Sequence, residues 1–263
     1  MKRSISLLLC LSVLISLLSS CAVRVEEEYE EEKEAVSTRE PQKRDLDGKL
    51  VVMIDPGHGF GDVGTTSDYL GTYEKDINLS VSLKLKGELE GRGVEVILTH
   101  DGESFINENE LIRQCDELGI EYKAEAVNEN NTFYAYERAL YAMVMDEKVG
   151  VDMFVSLHVN AVENGDVSGY ELFYCSDNPE ADRINELCGE IAKELDAECD
   201  TKAYDKDNAY IVTKFGTFPS VLFEMGYATN KEDAEKLKNE NFQNSLAEVL
   251  SEKIYESIKA VAK

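Results

Sequence analysis

Leu50-Val51-Val52-Met53-Ile54-Asp55-Pro56-Gly57-His58-Gly59 passes from five apolar residues into a Pro-Gly turn that carries a histidine. A short apolar run closed by turn residues reads as a buried strand. Met153-Phe154-Val155-Ser156-Leu157 is a second such run, and it leads into His158-Val159-Asn160-Ala161. The chain has 3 histidines, and two of them stand at these two strand ends. In open α/β sheets, the carboxyl ends of strands border the crevice where ligands bind. Two imidazoles there can share one metal ion. A third run, Ser220-Val221-Leu222-Phe223, ends in Glu224, and Glu74 follows the first histidine loop. Two His and two Glu then meet near one place, a donor set sufficient for a zinc hydrolase.

Working outward, strands alternate with helices. A helix over about 76–92 carries Ile77, Val81, Leu85 and Leu89 on one face, and Gly91-Arg92-Gly93 ends it. Val94–Leu98 reads as the next strand. A helix near 134–147 leads to the strand at 153–157, and 169–174 is a further strand. A helix over about 180–196, short strands at 209–212 and 221–223, and helices near 231–238 and 242–261 complete the pattern. This alternation predicts an α/β three-layer sandwich, a mixed and mostly parallel sheet with helices on both faces. The catalytic domain is expected over 49–263. The stretch 105–133 breaks the rhythm. It is acidic, contains Asn128-Glu129-Asn130-Asn131, has only a weak helical face, and reads as an insertion at the site rim.

The first twenty residues do not belong to this domain. Lys2 and Arg3 precede an apolar stretch from Leu7 to Leu18, too short for a confident membrane span and suited to a signal peptide. Leu18-Ser19-Ser20-Cys21 looks like a bacterial lipobox, which makes Cys21 the expected lipid-bearing start of the mature chain. Residues 21–48, nearly all acidic over Glu26–Glu34, then read as a solvated tether. The expected location is outside the cell, on the outer face of the cell membrane or the periplasmic side of a two-membrane envelope.

The formal net charge is −26, and losing Lys2 and Arg3 with the leader makes it −28. Such a chain is a poor nucleic-acid ligand, since that binding rests on Lys and Arg contacts to phosphates. It also has no basic patch for anionic lipid. Cys115, Cys175, Cys188 and Cys199 show no C-x-x-C spacing, so a cysteine metal site is not expected. Cys188 shares a helical stripe with Ile184, Leu187, Ile191 and Leu195 and reads as a buried thiol.

Catalytic zinc commonly takes three protein ligands, His₂Glu being one set, and keeps one position for water. His58 and His158 supply the imidazoles. By residue type alone the third ligand is either Glu74 or Glu224. The carboxylate left off the metal can carry the proton.

Four motifs then resemble those of the zinc-dependent N-acetylmuramoyl-L-alanine amidases of the Amidase_3 type. They are Val52–Gly59, Tyr73-Glu74-Lys75-Asp76-Ile77-Asn78-Leu79, Phe154–Ala161 and Pro219–Tyr227, in that order. Arg138 is similar to an arginine that precedes the third motif. The resemblance implies His58, Glu74 and His158 as ligands of Zn2+ and Glu224 as the catalytic acid/base. It implies peptidoglycan as substrate, cut at the amide between N-acetylmuramic acid and L-alanine. A zinc peptidase acting within the stem peptides uses the same chemistry and is the alternative, followed by an inactive wall-binding lipoprotein. The sequence does not identify a protein activator, and that partner stays unknown.

Two departures stand out. Many relatives carry Thr-Arg after the second strand where this chain has Thr99-His100, and 105–133 is longer than in minimal relatives. The stretch from Asn160 to Gly169 is too short for the inhibitory helix of some regulated relatives. His100 has no place in a motif and reads as structural or surface. Asp55 either caps its loop or steadies His58. Asn160 and Arg138 read as structural or substrate-positioning.

Overall fold

The computed structural model describes residues 49–123, 134–195 and 199–261. The signal peptide expected over 1–20, the Cys21 anchor, the tether over 21–48 and the 124–133 part of the insertion lie outside the described residues.

Six strands form one sheet: β1 (Val51–Pro56), β2 (Glu95–Leu98), β3 (Met153–Asn160), β4 (Tyr170–Cys175), β5 (Cys199–Tyr204) and β6 (Ser220–Tyr227). Their order is β2-β1-β3-β6-β4-β5. All neighbours are parallel except β4 and β6, so β4 and β5 run opposite to the rest. The helices are α1 (Glu74–Gly91), α2 (Glu108–Leu118), α3 (Ala135–Val149), α4 (Ala181–Leu195), α5 (Ile211–Lys214), α6 (Lys231–Leu237) and α7 (Glu240–Val261). The expected mixed, mostly parallel sheet with helices on both faces is the observed one.

Strand alternation sorts the side chains into two layers. Val52, Ile54, Val155, Leu157, Val221, Phe223 and Leu172 face the helices α1, α4 and α7, which contribute Val81, Leu85, Ile184, Ile191, Leu250 and Ile254. Met53, Phe154, Leu222 and Phe173 point the other way, against Ala142 of α3, Val212 of α5 and Phe218. β1 connects to β2 on one side, and β3 lies on the other. The carboxyl ends of β1 and β3 therefore flank the point where strand order reverses, the usual place for a ligand crevice.

Two elements differ from the expectation. No strand covers 209–212; Ala209 lies in a turn and α5 begins at Ile211. The strand in this region is β5, whose sequence Cys199-Asp200-Thr201-Lys202-Ala203-Tyr204 alternates polar and apolar residues weakly. It is an edge strand with one mostly solvated face, so burial imprints little periodicity on it. The insertion also holds more structure than expected. Within 105–123 lies α2, capped by the Asn107 side chain on the Asn109 N–H. Its buried Leu111 and Cys115 pack with Ile120 against Leu140 and Val144 of α3. Only Leu111 and Cys115 of this helix are buried, with Ile112 and Leu118 partly covered beside them, which is why the face reads as weak in the sequence.

Beneath the crevice, Asp55 is fully buried and pairs with Arg138 of α3 at 2.7 Å. Its two oxygens also accept from Thr99 Oγ1 and Ser156 Oγ, both at 2.7 Å. Asp55 thus joins β1, β2, β3 and α3, and neither of the two roles expected for it is seen. Removing one partner of such a pair strands a buried charge. Arg138→Leu is expected to lower stability by about 3–5 kcal/mol. Urea unfolding of the two proteins measures this, and a loss near zero would mean that the pair contributes nothing.

Candidate active site

The turn after β1 carries His58 with φ 65°, a left-handed conformation. The Nδ1 of His58 faces Asp62 Oδ2 at 2.9 Å, which assigns the proton to Nδ1 and turns Nε2 towards Glu74. Glu74 is the first residue of α1, where negative charge meets the helix dipole favourably. Its Oε2 accepts from the Thr65 N–H at 2.7 Å, and its Oε1 from the Val159 N–H at 2.9 Å. Asn78, one turn along α1, donates to the Gly57 carbonyl at 3.0 Å and so ties the helix to the histidine turn.

His158 belongs to β3 itself rather than to the loop beyond it, because β3 stays paired with β6 through His158 and Glu224. Gly57 lies against its imidazole; a Cβ at that position would stand 2.4 Å from the ring, so only glycine fits. His158 Nδ1 is 3.1 Å from Glu74 Oε1, and His58 Nε2 is 3.2 Å from the same oxygen. One donor atom from each of His58, Glu74 and His158 lies within 4.8 Å of the others. Donors held about 2.0–2.2 Å from one tetrahedral ion stand about 3.4 Å apart, so the spacing suits a small cation. Two imidazoles and one carboxylate are a donor set that suits a divalent transition-metal ion.

Charge in the cluster is strongly coupled. Burial pushes the Glu74 carboxyl up, but His158 and His58 outweigh it and hold Glu74 well below the usual carboxylate range. Burial alone would lower the His58 imidazole; Glu74 and Asp62 outweigh that and raise it. The cluster thus keeps Glu74 ionised, as a ligand must be.

Glu224, on β6, stands across the ladder from His158 on β3 and from Glu171 on β4. Paired residues on neighbouring strands share a face, so all three project to the same side. Just beyond, the register between β3 and β6 slips by one residue, a bulge of the kind that re-aims side chains beside active sites. Glu224 is buried, and its Oε2 has no hydrogen-bond partner among the described residues. Burial, with the charges of Glu74 and Glu171 adding and His58 opposing, pushes its carboxyl up to about 8. A cation held by the neighbouring triad would pull it back down. A buried carboxyl with a spare oxygen and a raised pKa is suited to carrying a proton.

The family model for N-acetylmuramoyl-L-alanine amidase, Amidase_3, matches residues 52–259. The chain belongs to that family. It is 30% identical over 206 residues to an uncharacterized protein, YqiI, of Bacillus subtilis, covering 78% of this chain and 82% of the other. The amidase AmiC2 of Nostoc punctiforme superposes with a TM-score of 0.58 at 27% identity, covering 80% of this chain and 97% of that one. The catalytic domain of the amidase CwlV from Bacillus (Paenibacillus) polymyxa var. colistinus gives a TM-score of 0.60 at 24% identity, with 81% and 99% covered; it shares the fold. This is a peptidoglycan amidase by family; His58, Glu74 and His158 lie together, and Glu224 stands across the ladder from His158.

The sequence reading did not find Asp62, which fixes His58, or the pair Glu171–Lys202. Glu171 is buried, accepts from Asn160 Nδ2 and is bonded to Lys202 Nζ of β5. The one available signal was a lone charge inside the apolar run Tyr170-Glu171-Leu172-Phe173. Its meaning depends on the antiparallel pairing that sets it opposite Glu224. Because the charge of Glu171 helps to raise the Glu224 carboxyl, Glu171→Gln is expected to lower it. If Glu224 carries the proton in turnover, the limb of the pH–rate profile that rises as it ionises should then move to lower pH. Lys202→Met leaves Glu171 uncompensated and should move the same limb to higher pH. Profiles of kcat/KM for the two variants check the sign, and parallel shifts would contradict it.

Proposed function

We propose that this amidase is zinc-dependent and hydrolyses the amide joining the lactyl group of N-acetylmuramic acid to L-alanine of the stem peptide. The observation that carries this reading is the cluster His58, Glu74 and His158 beside the buried carboxyl of Glu224, whose Oε2 has no hydrogen-bond partner among the described residues. A zinc ion bound there would supply Lewis acidity and a bound water of lowered pKa. Asp62 holds the His58 ring so that Nε2 stays free to ligate. Glu224 takes a proton from the attacking water and passes it to the leaving nitrogen, so the products are a lactyl carboxylate and a free amine. Asn160 and Lys202 hold Glu171 and keep its charge away from that transfer.

Digestion of purified peptidoglycan, with zinc and with a chelator, tests the reading through the masses of the products. Intact stems beginning with L-alanine, released only in the presence of metal, are expected. Fragments cut within the stem would instead make the protein a peptidase.

The same proposal places the protein on the outer face of the cell membrane, or on the periplasmic side of a two-membrane envelope. Leu18-Ser19-Ser20-Cys21 supports a mature chain that begins at lipid-modified Cys21, with the acidic stretch to residue 48 as its tether. Several acyl chains on one cysteine suffice for anchoring without basic residues. Cys21→Ser is expected to move the protein from membrane to soluble fractions. The intact mass of the mature wild-type chain checks the same point, and an unmodified start elsewhere excludes the anchor.

A further inference from the structure

We propose that Phe105 and His100 are positioning residues for the metal-binding turn: their rings clamp Phe60 and hold the left-handed loop that aims His58 at Glu74 and His158. This rests on the metal reading given above.

Among the described residues, His58 (φ 65°) and Phe60 (φ 51°) are the two non-glycine positions with positive φ. Side-chain-bearing residues avoid that region, and such conformations persist only where their surroundings over-determine them. Both lie in one turn, and one of them is a ligand. The backbone of the turn is closed by reciprocal hydrogen bonds between Gly59 and Asp62, each 2.9 Å, and Lys75 Nζ donates to the Phe60 carbonyl at 2.7 Å. These contacts hold the main chain and leave the Phe60 ring to be explained.

That ring meets Phe105 edge-on at 4.5 Å between centroids and His100 at 5.4 Å. Edge-to-face pairs at such distances are favourable beyond their burial. Both partners come from the connection after β2, where His100 and Phe105 form an isolated antiparallel bridge. His100 is buried, and its Nε2 lies 2.8 Å from the Pro56 carbonyl. It also presses on the turn itself: a Cβ on Gly59, at φ 128°, would come within 2.8 Å of the His100 ring. Thus His100 packs beneath the turn and Phe105 against its outer ring. This gives a purpose to His100 and to Phe105, the first residue of the stretch that breaks the strand–helix rhythm. A stretch that reads as a rim begins by bracing the metal ligand.

The test uses the full chain and three variants: Phe105→Ala, Phe105→Leu and Leu111→Ala. Leu111 is buried between α2 and α3, so its loss loosens the insertion without being aimed at Phe60. Zinc affinity is measured by competition with a chromogenic chelator, and amide exchange of Gly59 and Asp62 is followed in metal-free protein. Phe105→Ala should weaken zinc binding about 10-fold or more, as for other residues that orient a ligand. It should also speed exchange at Gly59 and Asp62 by a similar factor, about 10-fold, as a locally loosened segment does. Phe105→Leu should restore much of both. Leu111→Ala should lower the thermal midpoint while leaving both unchanged. Wild-type zinc affinity and exchange in Phe105→Ala would overturn the clamp, as would equal losses in Leu111→Ala. A wild-type protein that bound no zinc would refute the metal reading, and the exchange rates would still decide whether Phe105 holds the turn.

Discussion

Glu224→Gln is expected to keep zinc and to lose about 10²-fold or more in turnover, the range of general acid–base contributions. Glutamine retains the shape and the carbonyl oxygen but cannot carry the proton. The donor atoms of the cluster come from other residues, and Glu224 is not among them. Metal content should therefore be unchanged. The substitution also removes a buried carboxyl whose Oε2 has no partner among the described residues, so folding should not suffer. A fall in kcat without a rise in KM is the expected signature, because the interaction is made in the transition state. Turnover of a purified muropeptide and zinc per chain are the two measurements. Near-normal turnover would remove Glu224 from proton transfer. Loss of zinc would make it a ligand and put Glu74 in question.

The sequence made the candidate site legible because its residues lie in, or directly beside, buried elements. His58, His158 and Glu224 each adjoin an apolar run whose burial is written in its composition, and Glu74 opens a helix with clear i, i+4 periodicity. The parts that support them were less visible. Asp62 reaches His58 through a turn whose shape depends on left-handed backbone at His58 and Phe60, which no residue pattern announces. Asp55 lies beside the motif histidine in sequence yet serves Arg138, Thr99 and Ser156, because its side chain points beneath the sheet end and not into the crevice. Glu171 becomes part of the site through one antiparallel pairing within a largely parallel sheet. The strand β5 escaped because an edge strand with a solvated face needs little hydrophobic patterning. Helix α2 escaped because two residues, Leu111 and Cys115, carry its buried face. Topology and backbone conformation, more than composition, decided each of these.

His158→Ala is expected to lose most of the bound metal and the activity together. His158 supplies one of three donors, and the loss leaves two ligands where catalytic zinc takes three. The fold should survive. The ring lies at the mouth of the sheet against Gly57, and its removal opens space on the crevice side while the strand pairing of β3 with β1 and β6 is untouched. Thermal unfolding separates the two effects. A ligand that binds only the folded state stabilises it by about 2.7 kcal/mol at 100 times its Kd. Added zinc should therefore raise the wild-type midpoint and leave that of His158→Ala unmoved. The metal-free midpoint of the variant should fall, because His158 helps to hold the buried Glu74 carboxylate ionised, but that fall does not depend on added zinc. If the variant kept full zinc occupancy, His158 would not be a ligand. Asn160 or Glu171, two residues along β3 and across the ladder from Glu224, would then be the next donors to examine on the same face.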